Sequence, residues 1–238
     1  AIGVSSRFNA NASGYLDTAY ALMVLIVLSG CIALNLRIQR IRAKLQQQRE
    51  ALAQALEVNR ELATRDELTG LINRRAMLDL MALEHRRSLR SGRPLLLAQL
   101  DIDHFKPIND QHGHATGDRA LQAFAGTVRA SVRDTDVLAR WGGEEFVLML
   151  TDTSADHARK LLERIRQAVQ ALEIAHSAGS LQLTVSIGLA QHLPGDTVEH
   201  TLERADQALY HAKALGRNRV VVAPATHRPV AAGTSARA

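Results

Sequence analysis

The feature that most constrains this chain is an apolar run at residues 19–36, AYALMVLIVLSGCIALNL, which carries no charged side chain over 18 residues. About 20 apolar residues in a helix span the hydrocarbon core of a bilayer, so this run predicts one transmembrane helix. A core helix of a folded domain is the alternative. A cleaved signal peptide fits less well, because it carries its positive charge before the apolar segment. Here the cations follow the run, at Arg37, Arg40, Arg42, Lys44 and Arg49.

That basic segment also predicts the orientation of the chain in the membrane. Lysine and arginine accumulate on the cytoplasmic side of membrane helices, so everything after residue 36 is expected in the cytoplasm. Residues 1–18 are then expected to be the remnant of an extracytoplasmic part. Because the chain opens with Ala1 rather than Met, we expect it to be the carboxyl-terminal part of a longer protein.

Residues 37–63 predict a basic juxtamembrane helix that pairs as a short parallel coiled coil. Heptad spacing assigns eight residues to the two core positions, and five of these eight are sizeable apolar residues. A solvated amphipathic helix without a partner is the alternative, since the repeat barely reaches four heptads. The core positions are Ile38, Leu45, Leu52 and Asn59 in one series and Ile41, Gln48, Ala55 and Leu62 in the other.

The net charge of +5 resembles that of a polyanion binder, but its location argues otherwise. Between residues 64 and 222 the chain has 20 Lys and Arg against 20 Asp and Glu, so this part carries no net charge. Aromatic residues make up only 3% of the chain, although single-strand binders stack bases on them. We therefore expect no nucleic-acid partner.

From residue 64 the pattern changes to alternating strand-like and helix-like segments. Strands are predicted at 95–103, at 181–190, at 219–223 and as a hairpin over 137–150 that turns at Gly142 and Gly143. Helical periodicity covers 74–89, 118–132, 154–172 and 197–215. The fold class is therefore α/β or α+β, with helices flanking a central sheet. Residues 224–238 have no periodicity and are expected to form a disordered tail.

Acidic residues end or turn two of these strands, at Asp101, Asp103, Glu144 and Glu145. Carboxylates gathered at a sheet edge repel one another unless a cation intervenes, and hard oxygen ligands suit Mg²⁺ or Mn²⁺. The two glycines of the hairpin allow a polyphosphate to approach the backbone. Lys106, Lys213 and Arg217 supply complementary cations.

Five motifs stand in one order over about 150 residues. They are DELTGLINRR at 66–75, DIDHFKPIND at 101–110, GHATGD at 113–118, RWGGEEF at 140–146 and KALGRN at 213–218. Together they resemble the GGDEF domains of diguanylate cyclases, in the GGEEF variant, over residues 64–223. The resemblance implies a mainly antiparallel sheet like that of nucleotide cyclases and polymerase palms. It also implies the condensation of two GTP molecules to cyclic di-GMP, with release of two pyrophosphates.

The same resemblance implies roles for individual residues. Two Mg²⁺ or Mn²⁺ ions per active site would be held by Asp101, the carbonyl of Ile102, Glu144 and Glu145, with Asp101, Glu144 and Glu145 catalytic. The substrate would contact Gly142, Gly143, Lys106, Lys213 and Arg217, and its guanine would be read by Asn109 and Asp118. Asp118 has a second interpretation as a helix N-cap.

The spacing of Arg133 and Asp136 from the RWGGEEF motif resembles the inhibitory product site of the family, to which Arg164 would add a ligand. The resemblance therefore implies inhibition of the enzyme by its own product. It also implies a homodimer, because the product is made from two substrates and each domain holds one. Joined to the apolar run, it implies a bacterial inner-membrane sensor whose catalytic domain faces the cytoplasm. A catalytically silent domain that binds GTP or cyclic di-GMP is the alternative.

The DELTGLINRR motif is expected to be a structural hinge. Gly70 can end the incoming helix in a left-handed conformation, and Asn73 can cap the next helix. Asp66 and Arg75 are expected to pair across the turn. Structural roles are also expected for His104, His112 and His114, since no third soft metal ligand is near them in sequence.

Overall fold

The computed structural model of this chain describes residues 2–176 and 179–225. The chain divides into two units, residues 1–60 and 61–238. Helix α1 (Ile2–Thr64) is continuous over 63 residues, so the three segments predicted before residue 64 all lie in one helix. The boundaries between those segments stay predictions, and most of the predicted tail lies outside the described residues.

Within α1, the stretch Leu22–Leu52 is long and apolar enough to cross a membrane. Its apolar side chains are exposed all around the helix, as at Leu25, Ile26 and Ile32. A helix with such a surface is typical of one that lipid or other helices cover. The predicted coiled-coil positions Ile38, Ile41, Leu45 and Leu52 are exposed as well.

The second unit is built on a six-stranded sheet with the order β1-β3-β4-β2-β7-β8. The three inner pairs are antiparallel and the two edge pairs are parallel, which confirms the predicted mainly antiparallel sheet. The strands are β1 (Ile72–Asn73), β2 (Leu95–Ile102), β3 (Val137–Gly142), β4 (Glu145–Thr151), β7 (Val185–Gln191) and β8 (Val220–Val222). A separate hairpin joins β5 (Glu173–His176) to β6 (Gly179–Gln182).

Helices cover both faces of this sheet because side chains alternate along the buried central strand. Leu96 and Leu100 of β2 belong to one apolar core, together with residues of α4 (His114–Ser131) and α5 (Ala155–Gln170). Leu95 and Leu97 belong to the other core, with residues of α2 (Arg74–Ser91) and α6 (Val198–Ala214). The remaining helix is α3 (Phe105–His112).

The structure differs from the sequence prediction in several elements. The predicted strand 181–190 is two strands, β6 and β7, which pair with different partners. Helix α3 and strands β1 and β5 were not predicted. The predicted helix 118–132 begins four residues earlier, at His114.

Candidate active site

The acidic residues meet where β2 ends beside the β3–β4 hairpin. Asp101 lies directly opposite Glu145 in the β2–β4 register. Glu144 precedes Glu145 in the turn, and its carbonyl oxygen accepts a hydrogen bond from the Ile102 N–H at 3.3 Å. The antiparallel pairing of β2 with β4 thus brings three carboxylates to one end of the sheet.

The surroundings of Asp101 carry an excess of negative charge. Burial raises the pKa of the Asp101 carboxyl, and the neighbouring Glu144 and Glu145 raise it further. The Lys213 ammonium lies 2.8 Å from Asp101 Oδ2 and opposes both effects, but the pKa stays above its usual value. These like charges would be relieved by a cation.

The donor chemistry fits Mg²⁺ or Mn²⁺. Carboxylates of Asp101, Glu144 and Glu145, with the carbonyl of Ile102, offer only hard oxygen ligands. Among the described residues no three His, Cys, Asp or Glu side chains are already gathered closely enough to hold a metal ion. In this arrangement Lys213 supplies the positive charge beside Asp101.

The other predicted phosphate ligands lie on segments that leave this end of the sheet. Lys106 is exposed in the first turn of α3, which begins three residues after β2. Lys213 is in the last turn of α6, and Arg217 follows in the loop to β8. Arg217 has a left-handed backbone, with φ of 62°.

The structure brings the two predicted guanine-reading residues together. Asn109 is on α3 and its amide packs against Gly117 of α4, where an added Cβ would lie 1.9 Å from Asn109 Oδ1. Asp118 is the next residue and is exposed. The N-cap interpretation of Asp118 is wrong, because α4 begins at His114 with Gly113 in the cap position and Asp118 lies in the second turn.

A guanidinium fixes the tip of the β3–β4 hairpin. Gly143 has φ of +50°, a conformation that glycine adopts without strain. The Arg140 side chain donates two hydrogen bonds to the Gly143 carbonyl oxygen, at 3.0 and 2.9 Å. Its remaining terminal nitrogen donates to both carboxylate oxygens of Asp66, at 3.2 and 3.1 Å. The predicted Asp66–Arg75 pair is therefore wrong.

Asp66 is a strongly bound carboxylate. Burial alone would raise its pKa, but hydrogen bonds from Thr69 and Arg140 outweigh that effect and hold the pKa below its usual value. The Thr69 N–H and hydroxyl donate to Asp66 Oδ1 at 2.9 and 2.6 Å. Sequence reasoning missed the Asp66–Arg140 contact, since the two residues stand 74 positions apart.

The hinge motif forms a turn and a cap. Gly70 has φ of +68° and donates its N–H to the Asp66 carbonyl oxygen at 2.9 Å. It closes that turn and does not end α1, which stops at Thr64. The predicted cap is confirmed, because the Asn73 side chain accepts a hydrogen bond from the Ala76 N–H at 3.0 Å.

A separate cavity of about 440 Å³ contains all three residues predicted for product binding, Arg133, Asp136 and Arg164. The Asp136 carboxylate accepts a hydrogen bond from the Arg133 N–H at 3.2 Å. Arg164 crosses from α5 to donate to the Ser131 carbonyl oxygen at 2.9 Å. The cavity thus places two arginines and a carboxylate around one space.

Three of the chain's histidines, for which structural roles are predicted, lie where α3 and α4 begin or end. His104 has a left-handed backbone at the start of α3, and His112 is the last residue of that helix. His114 is the first residue of α4. Their predicted structural roles stay predictions.

The domain is an α+β domain, with a mainly antiparallel sheet and helices on both faces. The acids and the lysine at the end of its central strand suit it to metal-bound phosphates. A family model described as diguanylate cyclase, GGDEF domain, matches residues 63–219. The chain belongs to the GGDEF family.

Relatives and solved structures agree with this assignment. The chain is 45% identical over 179 residues to diguanylate cyclase DgcP of Pseudomonas aeruginosa, which covers 75% of this chain but about a quarter, 27%, of that protein. It is similar to the coiled coil and GGDEF domain of DgcB from Caulobacter crescentus, solved in complex with c-di-GMP. That comparison has a TM-score of 0.75 at 35% identity and covers 78% of this chain and 99% of the other.

A third similarity concerns the GGEEF form of the motif. The structure of the active GGEEF domain of a diguanylate cyclase from Vibrio cholerae has a TM-score of 0.62 at 33% identity, covering 66% of this chain and 99% of that one.

Proposed function

We propose that this chain is a diguanylate cyclase that condenses two GTP molecules into cyclic di-GMP and releases two pyrophosphates. The observation that carries the proposal is the meeting of Asp101, Glu144, Glu145 and Lys213 at the GGEEF hairpin. The active GGEEF domain from Vibrio cholerae supports a glutamate at position 144 as compatible with activity.

In each half of the reaction, the 3'-hydroxyl oxygen of one GTP bonds to the α-phosphorus of the other, and the bond to pyrophosphate breaks. Two Mg²⁺ or Mn²⁺ ions held by Asp101, the Ile102 carbonyl, Glu144 and Glu145 would lower the proton affinity of the hydroxyl and neutralise developing charge. The Glu144 carboxylate would also help to accept the hydroxyl proton.

The chain's cations and amides orient the substrate. The ammonium groups of Lys213 and Lys106 and the bidentate guanidinium group of Arg217 hold the triphosphate. The Asp118 carboxylate accepts from guanine N1–H and N2–H. The Asn109 amide, which packs against the neighbouring Gly117, adds a second contact to the base. Adenine presents a different edge, so GTP is preferred to ATP.

Each domain holds one substrate, so turnover requires two domains that face each other. The exposed Ile38, Ile41, Leu45 and Leu52 support a homodimer joined through α1 as a coiled coil. The similar protein DgcB was solved with a coiled coil before its GGDEF domain. Replacing Leu45 and Leu52 by lysine should lower activity while GTP binding persists; full activity at low protein concentration would contradict the dimer.

The uncharged part of the candidate span Leu22–Leu52, residues 22–36, supports anchoring in the bacterial inner membrane, with the domain on the cytoplasmic side as the output of a membrane sensor. Association of the full chain with liposomes that survives a high-salt wash tests the anchor. Loss of association in salt would show an electrostatic contact instead.

We also propose feedback inhibition through the cavity of Arg133, Asp136 and Arg164, where two guanidinium groups can bind phosphates and guanine edges. An Arg133→Ala chain should lose sensitivity to added cyclic di-GMP. Unchanged inhibition would refute this role.

The deciding experiment incubates the purified full chain, in detergent, with GTP and Mg²⁺ and follows cyclic di-GMP and pyrophosphate. Glu144→Ala should abolish product, whereas Glu203→Ala, an exposed glutamate on α6, should not. If the wild-type chain binds GTP or cyclic di-GMP but makes no product, it is a nucleotide receptor and the cyclase proposal fails.

A further inference from the structure

Asp103 is a buried carboxylate with no role in the mechanism above. It is 4% exposed and lies two residues beyond Asp101. Its Oδ1 accepts from the Ser186 hydroxyl at 2.7 Å, and its Oδ2 accepts from the Thr184 hydroxyl at 2.8 Å and from the Asn218 N–H at 3.1 Å. Three donors compensate this buried charge, so Asp103 does not require a cation for that purpose.

The donors come from two segments that are distant in sequence. Thr184 and Ser186 lie at the start of β7, and the Asp103 N–H donates in return to the Thr184 carbonyl oxygen at 2.9 Å. Asn218 ends the KALGRN motif, residues 213–218, which comprises the end of α6 and the first part of the loop to β8 and which we call the phosphate loop. Asp103 therefore joins the end of β2 to the start of β7 and to the phosphate loop.

The phosphate loop is held at both ends by this one acidic segment. Its first residue, Lys213, pairs with Asp101 at 2.8 Å, and its last residue, Asn218, donates to Asp103 at 3.1 Å. Arg217 stands immediately before Asn218. The position of the Arg217 backbone is thus set within one residue of the Asp103 contact.

The loop backbone needs such support. Gly216, Arg217 and Asn218 all have positive φ, at 109°, 62° and 45°. Glycine and asparagine adopt this conformation readily, but arginine does so at a cost that its surroundings have to offset. Asn218 is fixed on two sides, since its N–H contacts Asp103 and its Oδ1 accepts from Arg166 at 2.8 Å.

We propose that Asp103 is a positioning residue that sets Arg217 against the substrate triphosphate, and not a ligand of the metal ions. The inference rests on the proposed function, because it takes Arg217 as a phosphate ligand. Asp103 acts through its hydrogen bond from the Asn218 N–H, which holds the left-handed phosphate loop against the end of β2.

Two substitutions at Asp103 separate positioning from metal binding. In Asp103→Asn, the amide oxygen can still accept from Thr184 and Asn218, while the NH₂ group donates to the Ser186 hydroxyl. A positioning role therefore predicts that Asp103→Asn keeps GTP affinity within about threefold of wild type, whereas Asp103→Ala loses about tenfold or more. A metal ligand needs its charge, so that role predicts a raised Mg²⁺ requirement for activity in both variants, and no loss of GTP binding in either variant in EDTA.

The measurement is calorimetric binding of GTP and of GMP to the full chain in EDTA, where no metal contributes. Asp103→Ala should weaken GTP binding and leave GMP binding within about twofold, because the loop contacts the outer phosphates. Asp79→Ala, an exposed carboxylate on α2, is the matched control and should change neither. Arg217→Ala should lose as much as Asp103→Ala, and the double variant should lose no more.

The outcomes are distinct. Additive losses in the double variant would overturn the inference. So would an Asp103→Asn chain that binds GTP like wild type in EDTA but requires more Mg²⁺ for activity. If Asp103→Ala fails to fold, the Asp103→Asn result still decides. A wild-type chain that binds no GTP overturns the proposed function and this inference with it.

Discussion

Replacing Gly188 by alanine should separate α6 from the sheet. Gly188 lies in β7 beneath α6, where an added Cβ would stand 2.1 Å from the Ala205 carbonyl oxygen and 2.2 Å from the Leu209 nitrogen. Both are backbone atoms of a helix, so no side chain can rotate to make room. The helix itself has to move.

The size of that movement follows from the contact distances. Non-bonded heavy atoms sit about 3.5 Å apart at closest comfortable contact, so α6 must retreat by about 1.4 Å from the 2.1 Å position. Overpacking of a buried site costs about 1–3 kcal/mol, and we expect roughly 3 because only backbone can yield. The same shift lengthens the Lys213–Asp101 ion pair from 2.8 Å, so GTP affinity should fall as well.

Urea unfolding followed by the fluorescence of Trp141, the single tryptophan, measures the free energy of unfolding. Gly126→Ala is the matched control, because Gly126 is on α4 with no atom within 4 Å of an added Cβ. It should stabilise the domain by up to about 1 kcal/mol. A Gly188→Ala chain as stable as Gly126→Ala, with unchanged GTP affinity, would refute the packing argument.

Two further predictions concern the nucleotide pocket and the hinge. In Gly117→Ala the Asn109 amide must turn away from a Cβ placed 1.9 Å from its oxygen. GTP affinity measured by calorimetry should therefore fall about tenfold, while the free energy of unfolding should change by less than about 1 kcal/mol. Unchanged GTP affinity would show that Asn109 does not read guanine. Because the pKa of Asp66 is lowered in the folded chain, its stabilising contribution is present above about pH 4 and is lost as the pH falls through the folded pKa. Asp66→Asn should therefore cost about 1–3 kcal/mol at neutral pH, and the difference from wild type should shrink below about pH 4; a constant difference across that range would contradict this assignment.

The parts of the fold that the sequence predicts are those with strong local patterns. Strand β2 is a run of buried apolar residues, and its predicted range differs from the observed one by a single residue. Helix α2 begins where Asn73 predicts, because the capping side chain acts within its own turn. These signals are local and need no knowledge of tertiary contacts.

The elements that were missed either depend on a partner far along the chain or have a local sequence that does not resemble the element it forms. Strand β1 has two residues and exists only because it pairs with β3. Helix α3 is eight residues long and contains Pro107, so its segment resembles a loop. Helix α4 starts before Asp118 because Gly113 occupies the cap position and His114 starts the helix.

The residues of the site can be divided in the same way, into those with a local sequence signal and those without one. The motifs place Asp101, Glu144 and Lys213 in the sequence, and the pairing of β2 with β4 and the packing of α6 explain why they meet. The three hydrogen bonds to Asp103 and the contact of Arg140 with Asp66 have no local signal. Each joins residues more than 70 positions apart.

Strand β2 pairs with β4 and with β7 over seven positions each. Amides enclosed in this way exchange their hydrogen with solvent mainly when a whole domain opens, so those of β2 should be among the slowest to exchange. Asp101 stands at the end of this slowly exchanging element, whereas Glu144 lies outside the strands, in the turn between β3 and β4. On heating, the geometry around Asp101 should persist until the domain unfolds cooperatively, and early loss of function should begin at the hairpin.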